Sequence, residues 1–153
     1  MCLNIKENFI KATEDIVCYK VYVKASSLPF FTSPFRNCQQ PKLNTLQESK
    51  DMYSAGLGIH SFVSMEGVKR LMFAFGSFIT NFIRTGPCVK FKIVKCIIPK
   101  DFYFAFGTDD FTKCTAYCSH HLIDVEELDI IDGTNWREKL IQYYEGSRST
   151  SES

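Results

Sequence analysis

The 153-residue sequence lacks a large excess of charge of either sign. It has 18 Lys and Arg against 17 Asp and Glu, a net charge of +1. Proteins that bind nucleic acid by neutralising phosphates carry a clear positive excess, so we expect no nucleic-acid partner. With 45% apolar residues, the chain can bury one core and is not disordered in bulk. We predict a single domain over 1–146 and a disordered polar tail over 147–153.

The sequence also lacks a long hydrophobic run. Its most apolar segment, 71–83, has 13 residues and includes Ser77, Thr80 and Asn81, whereas a helix across a bilayer needs about 20 apolar residues. Charged residues interrupt the first fifteen positions, where a secretory signal would be continuously apolar. We therefore expect no membrane partner and a cytoplasmic location.

Cysteine is plentiful, but its pattern does not predict a site. Seven cysteines, an odd number, argue against a secreted disulfide framework and for a reducing, intracellular compartment. On a strand, Cys114 and Cys118 would lie about 13 Å apart, too far for one zinc ion with bonds of about 2.0–2.3 Å. We predict no metal, although His120 and His121 follow closely. No local signature marks a catalytic thiol, and a Cys–His enzyme stays a minor alternative.

Alternating apolar and polar residues predict most of the fold. This two-residue period indicates strands over 17–25, 89–98, 102–106, 112–119 and 121–131. A change of parity in the second of these predicts either a β-bulge near Val94 or burial on both faces. A weak helical stripe runs over 4–16, and 26–58 has no clear period.

Two further helices complete the predicted fold. Apolar residues spaced at threes and fours indicate one long amphipathic helix over about 64–84, in which Gly67 and Gly76 predict a close contact or a kink. A shorter stripe predicts a C-terminal helix over about 135–145. The predicted class is therefore α+β, with a mainly antiparallel sheet.

Two groups of residues are candidates for chemistry. Asp124 and Glu126 would share a strand face about 6.6 Å apart, a spacing that some acid–base pairs use, although a solvated face paired with Lys90, Lys92 and Lys95 is simpler. Gly58 precedes His60 in a segment where small residues allow a ligand or another strand to approach. A plain turn and a core histidine explain that segment equally well.

Short motifs along residues 17–130 resemble small uncharacterised domains of large DNA viruses and bacteriophages. The motifs are Tyr19-Lys20-Val21, Ser33-Pro34-Phe35-Arg36, Gly58-Ile59-His60-Ser61-Phe62, Val94-Lys95-Cys96-Ile97-Ile98-Pro99-Lys100 and Leu122-Ile123-Asp124-Val125-Glu126-Glu127. The resemblance implies a small, virus-encoded binding or interaction module without a cofactor. Its partner would be an unknown protein or small molecule, contacted through 26–58 and the Gly58–Phe62 segment.

A fainter resemblance links the same segments to ADP-ribosyltransferase folds. It implies the alternative function of an NAD-using transferase, or an inactive relative, with Lys20, Gly58, His60 and either Glu126 or Glu127 as ligand-binding residues. Lys20 stands where such enzymes carry Arg or His, and the tyrosine pair expected in the following helix is missing. This hypothesis requires Lys20, His60 and a carboxylate from 124–127 to line one cleft.

Overall fold

Nine strands form one antiparallel sheet in the computed structural model. The model describes residues 3–5, 9–24, 29–32, 39–49, 58–72, 90–110 and 112–131. The strands are β1 (Leu3–Ile5), β2 (Ile10–Lys11), β3 (Ile16–Lys24), β4 (Leu46–Glu48), β5 (Ile59–Phe62), β6 (Lys90–Ile98), β7 (Tyr103–Asp109), β8 (Thr115–Ser119) and β9 (His121–Ile131). One helix, α1, covers 65–72 in the described part of the chain.

The sheet curls strongly. The strand order is β1-β7-β8-β5-β3-β6-β9-β4, with β2 also on β7. Four strand-to-strand steps separate β8 from β9, about 19 Å in a flat sheet at about 4.8 Å per step. Yet only His120 lies between the two strands in sequence, and residues two apart span at most about 7 Å. The five strands from β8 to β9 must therefore bend until their ends meet.

Each face of the curled sheet carries its own apolar cluster. The helix face packs against α1 and contains Val21, Phe62, Val68, Leu71, Met72, Phe91, Ile93, Ala116, Cys118 and Ile131. The opposite face, called here the far face, contains Ala12, Cys18, Tyr22, Ile59, Val94, Cys96, Ile98, Phe104 and Leu122. The alternation of β3 and β6 between the two clusters explains why both strands are largely buried.

The strand predictions are confirmed where the period of two is long. β3, β6 and β9 match the predicted segments within one or two residues. Of the two explanations for the parity change in β6, burial on both faces is the one that applies, because β6 pairs with β3 in unbroken register and its residues enter both apolar clusters. The register between β6 and β9 shifts between Ile93 and Val94 and again between Lys95 and Cys96, and the extra residues lie on β9.

The predicted α+β class is wrong for the described residues, which are mostly antiparallel sheet. Of the long helix predicted over 64–84, the structure shows helix over 65–72, and positions 73–84 lie outside the described residues, as does the C-terminal helix over 135–145. The helix predicted over 4–16 is wrong, because β1 and β2 pair with β7 and β3 begins at Ile16. The polar tail over 147–153 also lies outside the described part.

The close contact predicted at Gly67 is confirmed. A Cβ atom on Gly67 would lie 2.3 Å from the Phe62 ring, so the missing side chain lets α1 approach β5. Gly76 lies outside the described residues. Within the ranges that the structure describes, no helix is long and apolar enough to cross a membrane.

Candidate functional site

A buried carboxylate lies at the centre of the far face. Asp124, on β9, has no exposed surface. Its Oδ2 accepts a hydrogen bond from the Tyr22 hydroxyl at 2.5 Å, and its Oδ1 accepts one from Gln47 Nε2 at 2.9 Å. The Cys96 thiol donates to the same Oδ1 at 3.3 Å. Three donors from three different strands therefore replace the water that this buried group loses.

Two thiols lie next to this carboxylate. Cys18 on β3 and Cys96 on β6 are register partners, both fully buried and both reduced. The neighbouring Cys96 side chain lowers the pKa of the Cys18 thiol despite its burial. The neighbouring Cys18 side chain, burial and the nearby Asp124 charge raise the pKa of Cys96. The pair thus has one thiol predisposed to lose its proton and one that keeps it.

Tyr22 has a strongly perturbed environment as well. Burial raises the pKa of its hydroxyl, and the negative charge of Asp124 and the hydrogen bond to that carboxylate raise it further. The hydroxyl therefore stays protonated and remains a donor to Asp124 over the whole physiological pH range.

Two lysines and an aromatic ring on the far face, Lys20, Lys92 and Phe31, are called here the rim of the far face. The Lys20 Nζ atom is 5.0 Å from the centre of the Tyr22 ring, and the Lys92 Nζ atom is 4.1 Å from the centre of the Phe31 ring. Lys92 also pairs with Glu127 Oε1 at 3.0 Å and donates to Gln40 Oε1 at 3.1 Å. Both ammonium groups therefore have aromatic neighbours, but only one of them has a carboxylate in the part of the chain that is described.

Two isolated β-bridges at Thr32 position the Phe31 part of this rim. Thr32 pairs with Val23 on β3 and with Gln39, and the Gln40 amide donates to the Phe31 carbonyl at 2.8 Å. Parts of the segment predicted to be irregular are therefore tied to the sheet, and one of them brings an aromatic ring over Lys92.

The predicted site residues lie on both faces of the sheet. Tyr19 and Phe62 are register partners on adjacent strands, so their side chains share the helix face. Because side chains alternate between the two faces along each strand, His60 on β5 lies on the helix face and Lys20 on β3 lies on the far face. Together, these positions do not form the single cleft that the transferase hypothesis requires.

The two glutamates are separated in the same way. Val94 is the register partner of both Lys20 and Glu127, which puts Lys20 and Glu127 in one row of the far face. Glu126 opposes Lys95 on the helix face and is exposed. The predicted shared face of Asp124 and Glu126 is therefore wrong, because the register shift between Lys95 and Cys96 turns them to opposite sides.

Gly58 has a structural role at the start of β5. A Cβ atom there would lie 2.2 Å from the Ser119 carbonyl oxygen, and the Gly58 amide donates to the Cys118 Sγ atom at 2.8 Å. Close approach of two strands, rather than of a ligand, explains the glycine. The segment that follows is a central, mostly buried strand and not the predicted contact surface.

Sequence reasoning missed the centre of the site. Tyr22 appeared only as one alternating position of a strand, and Gln47 lay in the segment without a period. The one available signal was Asp124, an acidic residue at an inward-facing position of an apolar strand, which requires partners wherever it is buried.

In the ranges described, no group of three or more His, Cys, Asp or Glu side chains could hold a metal ion. No protein-family model matches the chain, and neither a curated protein nor a solved structure matches it.

Proposed function

We propose that this protein is a small binding module that holds an anionic small molecule at the rim of the far face. The observation that carries the proposal is Lys20. Its side chain is half-buried over the Tyr22 ring, and no carboxylate among the described residues forms an ion pair with it. A cation that has lost part of its hydration without gaining a counter-charge is unfavourable. An anionic ligand would supply that charge.

The neighbouring charged groups support this function because each of them already has hydrogen-bond or ion-pair partners. Asp124 has three donors, and Lys92 has Glu127 and Gln40. Neither of these charged groups competes for Lys20 through an ion pair. Phe31 and Tyr117, which are half-buried and pack against the far-face cluster, would add apolar contact for a planar ligand.

The proposal is tested by thermal unfolding in the presence of three anions, namely inorganic phosphate, ATP and NAD. A ligand at one hundred times its Kd stabilises the folded state by about 2.7 kcal/mol, which raises the unfolding temperature. We expect at least one of the anions to stabilise the wild type, and Lys20→Met to remove the effect. Lys100→Met, which changes an exposed lysine, is the matched control and should respond as the wild type does.

Two results would contradict the proposal. One is that none of the three anions raises the unfolding temperature at millimolar concentration. The other is an equal shift in Lys20→Met and the wild type, which would show that the anion binds elsewhere.

The transferase alternative is a separate and less favoured outcome of the same experiment, because Lys20 and His60 lie on opposite faces of the sheet. NAD stabilisation accompanied by release of nicotinamide, and loss of that release in His60→Ala, would favour an enzyme. NAD binding without turnover would favour the binding module. A cytoplasmic location remains part of the proposal and is supported by the odd number of cysteines.

A further inference from the structure

The Cys18–Cys96 pair has the geometry of a disulfide that has not formed. Residues directly opposite each other on antiparallel strands have Cα atoms about 4.5 or about 5.5 Å apart. Both separations fall within the range of about 4.4–6.8 Å that disulfides require. Cys18 and Cys96 are such opposite residues, and both side chains belong to the apolar cluster of the far face. The pairing of β3 with β6 therefore already holds the two residues at a Cα separation that a disulfide can span.

The surroundings of the pair favour reaction at one sulfur. The side chains of Cys96 and Ser61 and the positive charge of Lys20 lower the pKa of Cys18 and so favour its thiolate, whereas burial and the charge of Asp124 act in the opposite direction. Cys96 keeps its proton and donates to Asp124. One thiol is therefore the nucleophile and the other the resolving group, which is the arrangement of redox-active thiol pairs.

The remaining described cysteines do not have this arrangement. Cys118 lies on the helix face, where burial raises its pKa to about 12, and its sulfur accepts the Gly58 amide. Cys114 is half-buried at the start of the β8 region. In the described part of the chain, neither of them has another cysteine as its register partner on an adjacent strand.

We infer that Cys18 and Cys96 are a redox-active dithiol that is oxidised to a disulfide joining β3 to β6. With a peroxide as oxidant, the Cys18 thiolate attacks one peroxide oxygen, the O–O bond breaks and hydroxide leaves, which forms a sulfenic acid. The Cys96 sulfur then attacks the Cys18 sulfur, the S–S bond forms, and the departing hydroxyl takes up the Cys96 proton as water. Two electrons and two protons pass from the thiols to the peroxide, which is reduced to two molecules of water.

Oxidation would alter the candidate site directly. The disulfide removes the Cys96 proton and with it one of the three donors to Asp124. It also joins two adjacent strands of the sheet covalently. This inference does not depend on anion binding at Lys20, and each can fail without the other.

The test uses diamide, a small neutral oxidant whose N=N bond takes up the two hydrogens as the disulfide forms. The folded protein is incubated with diamide, the remaining thiols are alkylated in denaturant, and the digest is analysed by mass spectrometry. We expect one dominant linked pair of peptides, containing Cys18 and Cys96, that separates on reduction. Because both sulfurs are fully buried, the reaction should be slower than that of an exposed thiol.

Two controls make the result specific. The same chain oxidised in guanidinium should show the Cys18–Cys96 link as one minor product among many, since seven cysteines then pair without the guidance of the fold. Cys118→Ala, which changes a buried thiol of the helix face, should retain the link. The oxidised wild type should also unfold at a higher urea concentration than the reduced protein, because the disulfide restrains the unfolded chain.

Recovery of both cysteines in alkylated, unlinked peptides from the folded, diamide-treated protein would overturn the inference. So would a Cys18–Cys96 link that forms only in guanidinium. The decisive measurement is made on the wild type, so it does not depend on any cysteine variant folding.

Discussion

Replacement of Tyr22 by phenylalanine tests whether the buried hydrogen bonds hold the far face together. The change removes one hydroxyl from a residue that is 1% exposed and leaves its ring in place. The hydroxyl donates to Asp124 at 2.5 Å. After the change, the carboxylate keeps its bonds from Gln47 and Cys96 but loses its shortest one.

The expected loss of stability follows from the charge and burial of the acceptor. A hydrogen bond to a charged group contributes about 1.5–3 kcal/mol, and Asp124 has no exposed surface through which water could replace the lost donor. We therefore expect Tyr22→Phe to lower the free energy of unfolding by about 2–3 kcal/mol at pH 7. A domain of this size is stable by only about 5–15 kcal/mol, so this loss is easily measured.

The same variant has a predicted effect on pH dependence. The pKa of Tyr22 is raised in the folded state by burial, whereas an unfolded tyrosine titrates near pH 10. Above about pH 10 the unfolded chain loses this proton and the folded chain keeps it, so stability falls by up to about 1.4 kcal/mol per pH unit. The stabilising contribution is complete below about pH 10 and is lost as the pH rises above it. Tyr22→Phe should lack this part of the alkaline decline.

Urea unfolding followed by far-ultraviolet circular dichroism measures both effects. The free energy of unfolding is determined at pH 7 and at several values between pH 9 and pH 11, for the wild type and Tyr22→Phe. Tyr103→Phe is the matched control, because Tyr103 is 48% exposed. It should change the free energy of unfolding at pH 7 by less than about 0.5 kcal/mol.

A double-mutant cycle with Asp124→Asn assigns the loss to the hydrogen-bonded pair. The two changes should be non-additive by about 1–2 kcal/mol, since each removes the same interaction. A loss below about 0.5 kcal/mol at pH 7 in Tyr22→Phe, together with an unchanged alkaline slope, would refute the reasoning. The hydroxyl would then have no energetic role in the core.

Further substitutions test three separate parts of the structure, each measured as the change in the urea midpoint of unfolding. Gly58→Ala should lower the free energy of unfolding by about 3 kcal/mol, because its methyl group would lie 2.2 Å from the Ser119 carbonyl oxygen on β8. Gly67→Ala should lower it by less, because the new methyl group meets a side chain and the helix gains about 1 kcal/mol of propensity. The reverse ranking would contradict this reasoning. Glu127→Gln should lower the free energy of unfolding by at most about 1 kcal/mol, because the Glu127 side chain is 41% exposed. A larger loss would show that the ion pair with Lys92 behaves as a buried interaction. Asp109→Ala should lower the free energy of unfolding by about 2–3 kcal/mol, because the Asp109 carboxylate accepts two hydrogen bonds. Asp110→Ala changes an exposed residue and should leave the free energy of unfolding nearly unchanged. Equal losses in the two variants would reject the role of Asp109.

The strands could be predicted because their signal is local. In β3 the period of two extends over nine residues, so this strand shows in its own sequence which residues share a face. In β9 the sequence predicts the strand itself, but two register shifts against β6 interrupt the alternation of its faces. The helical stripe over 4–16 failed for the opposite reason. Residues 3–5 and 10–11 pair with β7, and the Ala12 amide donates to the carbonyl of Phe102, just before that strand, at 2.8 Å. That partner lies about ninety residues away and leaves no mark on the local pattern.

The candidate site could be predicted only in part. Lys20 and Glu127 were identified from the sequence, and the structure places them in one row of the far face. His60 and Gly58 were identified from the same motif, but the pairing of β5 turns His60 to the helix face and brings Gly58 against β8. A motif records neighbours along the chain, whereas a cleft depends on which strands pair and in what register.

By itself, the sequence determined that this chain is rich in strands and near neutral in charge. These properties follow from composition and from the alternation of residues within one strand. Only the tertiary structure decided that Asp124 faces Tyr22 and Cys96, and that Cys18 lies opposite Cys96. Such contacts arise from the register between strands far apart in sequence, and a shift of one residue in that register moves every side chain to the other face.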